Sequence, residues 1–175
     1  VTETLPGDVP DDVDAAVMRI LKSACEQEIM IATAESCTGG LIASLLTDVT
    51  GCSHAFERGF VVYTNEAKNE LLGVPEALLE DPGPVSEEVA RAMAEGALSH
   101  SSAHVAISVT GFAGAGAPGD EPGLVHFALA RRDGQTIHRM ERFGDIGRGG
   151  VRLECARTCM SMLREEICAA EPVGR

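Results

Sequence analysis

The sequence has no tryptophan, a single tyrosine (Tyr63) and only two lysines (Lys22 and Lys68). Any chemistry that needs an amine base or a phenol must therefore draw on three residues. Nowhere does an apolar run approach the roughly 18–20 residues of a bilayer span, and residues 1–14 are acidic and proline-bearing where an export signal is basic and then apolar. These absences predict a cytoplasmic protein without a membrane partner. Positive charge is scarce as well: 14 Lys and Arg face 27 Asp and Glu, a net charge of -13. Such a surface repels phosphate backbones and anionic headgroups, which excludes nucleic acid as the expected partner. The six cysteines include no CxxC pair, and in a domain of this size without an export signal they read as reduced thiols. Cys155 and Cys159 lie four apart on an expected helix but lack further ligands at matching spacing, so they read as small core residues. No metal and no cofactor is expected.

What is present suits one packed domain. The chain has 175 residues, 45% hydrophobic and 23% charged, and its mean hydropathy is +0.06. Residues 1–10 read as a loose leader and 11–175 as a single domain. Val13, Val17, Ile20, Leu21 and Ala24 form one helical stripe, predicting a helix over about 11–27. Residues 29–34 read as a buried strand. Next comes the turn Glu35-Ser36-Cys37-Thr38-Gly39-Gly40 and a helix through Leu41, Leu45 and Leu46. A second strand is expected over 56–64, then a short helix capped by Asn65 and closed by Gly73. Pro75, Pro82 and Pro84 punctuate a connector. Ser86 with Glu87 and Glu88 starts a helix running to about Ser99, and 105–110 reads as a third strand. A glycine-rich loop covers 111–123, a hairpin is expected over 124–130 and 135–143, and a last helix over 147–168. Early alternation followed by a late hairpin gives an α/β fold: a three-layer α/β/α sandwich around a mixed sheet with an antiparallel edge hairpin.

Gly114-Ala115-Gly116-Ala117-Pro118-Gly119 spells GxGxxG, yet it leads into a strand and not the helix that a dinucleotide site requires. No Gly-Lys-Ser/Thr occurs, so a Walker A loop is absent as well. The loop is either structural or a wall of exposed N–H groups facing a ligand, with Thr110 as its first polar group. The turn at 35–40 places side chains beside the unpaired donors of a helix start. Ser36 or Cys37 could be a nucleophile there, or Ser36 or Thr38 a simple cap. Lys68 falls in the first turn of its helix, where the macrodipole opposes a cation, so it is either solvated or has reason to be neutral. Serine with a neutral lysine is an established nucleophile and base, and a phenol such as Tyr63 can relay the proton.

Ala34-Glu35-Ser36-Cys37-Thr38-Gly39-Gly40, Tyr63-Thr64-Asn65-Glu66-Ala67-Lys68, Leu72-Gly73-Val74, Val85-Ser86-Glu87-Glu88-Val89-Ala90 and Val109-Thr110-Gly111 with Ala113-Gly114 together resemble the CinA C-terminal domain family, over about 13–168. The chain is similar to that family's standalone members, the PncC-type nicotinamide mononucleotide deamidases, and is expected to stand without the extra N-terminal domain of the longer ones. The resemblance implies a metal-free amidohydrolase of pyridine nucleotide salvage, which turns nicotinamide mononucleotide into nicotinate mononucleotide and ammonia. It places the catalytic serine on Ser36, the lysine on Lys68 and the tyrosine on Tyr63. It also implies a substrate site of Thr110, Gly111 and a later arginine, Arg148. Two departures from the family pattern fall near that site: Ala115 and Ala117 in the glycine loop, and extra residues between Asp145 and Arg148.

On these residues an expected mechanism has Lys68, directly or through Tyr63, take the proton of Ser36. The N–H groups of Cys37, Thr38 and Gly39 hold the oxyanion. Arg148 meets the substrate phosphate, with Arg152 or Arg58 behind it as alternatives. The competing reading is a pyridine-nucleotide-binding or sensing module without turnover; a third, an assembly domain, leaves the joint presence of Ser36, Tyr63 and Lys68 unexplained. A homo-oligomer is compatible with the sequence.

Overall fold

A computed structural model of the chain describes residues 9–114, 116 and 118–168. Most of the expected leader, residues 1–8, and the substituted loop positions Ala115 and Ala117 lie outside the described residues, as do residues 169–175. Helix α1 (Asp11–Glu26) precedes strand β1 (Ile31–Glu35), helix α2 (Leu41–Thr47) and, after a 3-10 turn, strand β2 (Phe56–Val61). Helices α3 (Asn65–Leu72), α4 (Glu76–Glu80) and α5 (Glu87–Ser99) lead to β3 (Val105–Gly111), β4 (Leu124–Arg131), β5 (Ile137–Arg142) and α6 (Gly147–Ile167). The sheet order is β2-β1-β3-β4-β5. Pairing is parallel between β1 and both β2 and β3, and antiparallel from β3 to β4 to β5. This is the expected mixed sheet. Among the described residues no helix is long and apolar enough to cross a membrane.

The chain travels one way from β1 to β2 and back past β1 to β3. Crossovers of a single hand then require the intervening helices to lie on opposite faces. Accordingly α1, α2 and α6 pack together on one face, and α3, α4 and α5 on the other. The period-two alternation of the strands gives each face its own character. Ile31, Ile107, Val109, Val125, Phe127 and Leu129 project toward α1, α2 and α6. Ala32, Ala34, Ala106, Ala128 and Ala130 project toward α5, so that layer packs closely. Gly96 of α5 allows it: a Cβ there would lie 2.1 Å from the Leu72 carbonyl oxygen of α3.

Three local details differ from the sequence expectation. Strand β2 stops at Val61, not Thr64, because the chain leaves the ladder there. The cap of α3 is Thr64, whose hydroxyl accepts from the Ala67 N–H, and not Asn65. The proline connector contains the five-residue helix α4, entered from Pro75, whose fixed φ suits that position. The predicted caps Ser86 and Gly73 stand: the Ser86 hydroxyl accepts from Val89 N–H, and Gly73 adopts a left-handed φ of 68°.

Candidate active site

Glu35, Val61 and Val109 are in register at the carboxyl ends of the three parallel strands. The segments that follow each strand therefore meet at one edge of the sheet, where open α/β sheets place their ligands. They enclose a cavity of about 250 Å3 lined by Ser36, Cys37, Tyr63, Lys68, Thr110 and Arg148, among others. Six residues singled out in the sequence, from four separate segments, thus share one space.

The Ser36 N–H donates to the Val109 carbonyl at 3.0 Å, which pins the serine to the sheet. Lys68, only 2% exposed, reaches across from α3. Its Nζ is a donor to the Val62 carbonyl at 3.1 Å and the Tyr63 carbonyl at 3.3 Å, and lies 3.2 Å from Ser36 Oγ. No carboxylate pairs with it among the described residues. Burial accordingly pushes the Lys68 amine below its usual range, with the nearby Cys37 thiol opposing weakly. A protonated amine has three hydrogens, but the neutral form has two and a lone pair. Three oxygens thus surround Nζ, which as an ammonium donates to all of them, Ser36 Oγ included; as a neutral amine it could give its two hydrogens to the carbonyls and turn its lone pair to the Ser36 hydroxyl.

Tyr63 departs from its expected part. Its side chain is 67% exposed at the cavity, and its phenol makes no hydrogen bond to Ser36 or Lys68. What Tyr63 gives the pair is its main-chain carbonyl. Of the two expected routes, direct or through the phenol, the direct one has a hydrogen bond here, between Lys68 Nζ and Ser36 Oγ.

The turn after β1 is held by a carboxylate that the sequence reading passed over. Glu35 is completely buried. Its Oε2 accepts from the Thr38 hydroxyl at 2.7 Å, Gly40 N–H at 3.0 Å and Ile42 N–H at 3.1 Å, and its Oε1 from Ala43 N–H at 2.8 Å. The donors of the α2 start are thereby occupied. Gly39 N–H is also engaged, with the Ser36 carbonyl at 3.2 Å, which corrects its expected place in an oxyanion site. The N–H groups of Cys37 and Thr38 are the two in the turn that carry no hydrogen bond among the described residues. The available signal for Glu35 was its position: an acid ending an apolar strand, directly before a helix start that needs acceptors.

Behind the turn, contact with the Cys37 thiol and then burial raise the Cys155 thiol well above its ordinary range; burial and then the Glu35 charge do the same for Cys159. Both are fully buried, consistent with small core residues.

On the opposite wall, the Thr110 hydroxyl donates to the Pro84 carbonyl at 2.8 Å. Gly111 serves the close approach of β4, since a Cβ there would lie 2.7 Å from the Leu124 carbonyl oxygen. Phe112, Ala113, Gly114 and Gly116 line the cavity as well, so the loop forms a wall. Arg148 lies against it: a Cβ on Gly114 would be 3.6 Å from an Arg148 guanidinium nitrogen. It makes no ion pair among the described residues. The alternatives are engaged elsewhere. Arg152 donates through Nε at 3.1 Å, and through Nη2, to the Thr38 carbonyl. Arg58 binds Glu57 and the His100 carbonyl, outside the cavity lining.

Comparison with known proteins bears on what such a cavity does. The model of the CinA C-terminal domain matches residues 13–167. The nicotinamide-nucleotide amidohydrolase PncC of Enterobacter agglomerans is 50% identical over 141 residues, covering 78% of this chain and 85% of that protein. A putative competence-damage inducible protein of Symbiobacterium thermophilum is 47% identical over 174 residues, covering 93% of this chain. The chain spans 34% and 40% of the length of two such longer curated relatives. Among solved structures, the competence/damage inducible protein CihA from Agrobacterium tumefaciens superposes with a TM-score of 0.85 at 44% identity, covering 94% of this chain and 98% of that one.

Proposed function

Because the chain belongs to the CinA C-terminal domain family, we propose that it hydrolyses the carboxamide of nicotinamide mononucleotide to nicotinate mononucleotide and ammonia, with Ser36 as nucleophile and Lys68 as its base. The observation that carries this reading is the buried Lys68 amine, without a counter-charge and 3.2 Å from Ser36 Oγ. Burial without a carboxylate partner among the described residues disfavours an ammonium there and moves the amine toward the neutral base. That is the form a serine nucleophile needs.

Ser36 Oγ attacks the carboxamide carbon while its proton passes to Lys68 Nζ. The oxyanion develops beside the Cys37 and Thr38 N–H groups, whose donors are not otherwise engaged; each such donor is commonly worth about 3 kcal/mol in the transition state. Lys68 returns the proton to the leaving nitrogen, and ammonia departs, leaving an acyl ester on Ser36. Water then attacks that ester, passing a proton through Lys68 to Ser36 Oγ, and the product carboxylic acid releases its own proton. The substrate phosphate finds its cation in Arg148, which counters locally a protein whose overall charge is strongly negative. Tyr63 contributes its carbonyl to Lys68 and its ring to the cavity wall.

Ammonia release from nicotinamide mononucleotide, nicotinamide and NAD tests this. Turnover of the mononucleotide is expected, with Ser36→Ala lowering kcat at least about 1000-fold and Tyr63→Phe retaining a third or more of the activity. Binding of the mononucleotide without ammonia would replace the enzyme by a binding module. An inactive Tyr63→Phe with native affinity would restore the phenol to the proton path.

A further inference from the structure

We infer that Glu35 is the positioning residue of the nucleophile turn: its carboxylate fixes Ser36 in line with Lys68 and sets which N–H groups remain open to the cavity. The inference rests on the amidohydrolase reading only in taking Ser36 as nucleophile.

Ser36 follows Glu35 directly, and its hydroxyl must hold a narrow geometry toward Lys68 Nζ. A turn with two glycines at left-handed φ, 61° at Gly39 and 96° at Gly40, has little intrinsic stiffness. Four donors converging on one buried carboxylate supply it. Thr38, Gly40, Ile42 and Ala43 are all drawn onto Glu35, while the Glu35 main chain stays in the ladder between β2 and β3. Arg152 of α6 holds the same turn from its other side through the Thr38 carbonyl. The turn is therefore fixed at Ser36 N–H, at the Thr38 hydroxyl and carbonyl, and along the first residues of α2. Cys37 and Thr38 N–H are left over because Glu35 and Ser36 have taken their neighbours.

The carboxylate suits this role where an amide would not. All four contacts are donors, so the acceptor must offer both oxygens. A glutamine turned one way sets its NH2 against Ala43 N–H; turned the other way, it sets it against three donors at once. Glu35 is not among the groups acting on the Lys68 amine. Loss of its charge should consequently change how well Ser36 is placed and leave the titration of its base alone.

The test reads Ser36 directly with phenylmethylsulfonyl fluoride. Attack by Ser36 Oγ forms the O–S bond and breaks S–F; fluoride leaves, and the serine proton goes to Lys68. Labelling of Ser36 is followed by mass spectrometry across pH, alongside thermal unfolding, for the native protein, Glu35→Gln and Thr38→Val. Glu35→Gln is expected to lower the plateau rate at least tenfold, and Thr38→Val, which removes a single donor, about threefold. In both, the pH midpoint should remain that of the native protein. A native plateau rate in either folded variant overturns the inference. A midpoint displaced upward also overturns it, because that is the mark of a loosened site in which water reaches Lys68. If Glu35→Gln does not fold, Thr38→Val decides. The two readings fail separately: a native protein that labels at Ser36 but releases no ammonia defeats the substrate assignment and leaves Glu35 in place, whereas absence of labelling defeats both.

Discussion

Glu35 and Lys68 lie at the same end of the sheet, each withdrawn from solvent, and the protein treats their charges in opposite ways. The carboxylate receives four hydrogen bonds. The amine meets two carbonyls and a hydroxyl, with no counter-ion among the described residues. Burial raises the free energy of any ion, and what surrounds the ion decides whether it stays one. Around Glu35 the donors support negative charge, and the outcome is a rigid turn. Around Lys68 three neutral oxygens accept hydrogen bonds but no carboxylate among the described residues balances a positive charge, and burial lowers the proton affinity of the amine. One desolvated edge of the sheet thus yields a fixed geometry on one strand connection and an altered proton affinity on the next.

The contrast breaks most completely if the amine is made a permanent cation. Lys68→Arg keeps charge and reach but cannot give up a proton near neutral pH. Its kcat should fall by about 1000-fold, within the range general base catalysis supplies. For the native enzyme, the rate should rise with pH through the lowered Lys68 value and then level off. A Lys68→Arg enzyme within tenfold of native, or a flat native profile from pH 6 to 9 with chemistry limiting, would show that Lys68 supplies charge alone.

A smaller effect separates the uncharged reaction centre from the charged end of the cavity. Arg148→Ala should raise KM for nicotinamide mononucleotide at least tenfold and leave kcat within threefold, if, as proposed, the guanidinium meets a phosphate remote from the scissile bond. Free nicotinamide, which carries no phosphate, should be unaffected. Equal losses on both would assign Arg148 to holding the glycine loop.

How much of this was legible in the sequence follows from what each feature depends on. Helix and strand identity depends on local period, and α1, α5, β3 and α6 appear within a few residues of their expected limits. The five-residue α4 has too few residues to display a period and hid among prolines. Ser36, Lys68 and Thr110 announced themselves by residue type and setting and Arg148 through the family resemblance, and the four share the cavity. Residue order could not choose between a direct proton path and one through Tyr63, because it says nothing about side-chain direction: the ring is exposed at the cavity and the carbonyl meets Lys68. Arg148 and Arg152 are one helical turn apart, so pattern alone could not assign them, and only the path of α6 past the turn sends one to Thr38. Glu35 went unnoticed for a related reason. An acid at a strand end normally reads as solvated, and its burial arises from α2 folding back over it.

The pH dependence of stability gives a further measure of the contrast, with a sign that follows from linkage. The folded-state pKa of Lys68 lies below its unfolded value. Between the two, the unfolded chain carries a proton that the folded one has lost, so stability rises with pH. Below the folded value both states are protonated, and the desolvation penalty is felt in full. Lys68→Met should remove this component. The difference in Tm between native and Lys68→Met should shift in favour of the native protein as pH rises from 7 toward 10, and a pH-independent difference would mean that the buried amine keeps its ordinary affinity for protons.

Thr33 provides the smallest effect, as a third buried polar group on the same strand. It stands two residues before Glu35, on the same face by strand alternation, and is completely buried. Its hydroxyl has no hydrogen-bond partner among the described residues. Glu35 is supported by donors and Lys68 by neutral oxygens alone, whereas the Thr33 hydroxyl has no partner among the described residues. A buried, unpaired hydroxyl costs on the order of 1 kcal/mol or more. Thr33→Val removes it at nearly constant volume. The space is limited, because a Cβ added at Gly59 of the neighbouring strand would lie 2.9 Å from the Thr33 hydroxyl oxygen, yet the native glycine leaves that side open. Thr33→Val should therefore stabilise by about 1 kcal/mol, seen as a rise in Tm of roughly 2–4 °C for a domain of this size. Activity should not change, since neither the turn nor the amine is touched. A fall in Tm would show that the hydroxyl has a partner in solution, such as a bound water, and would move Thr33 to the supported side of the comparison with Glu35.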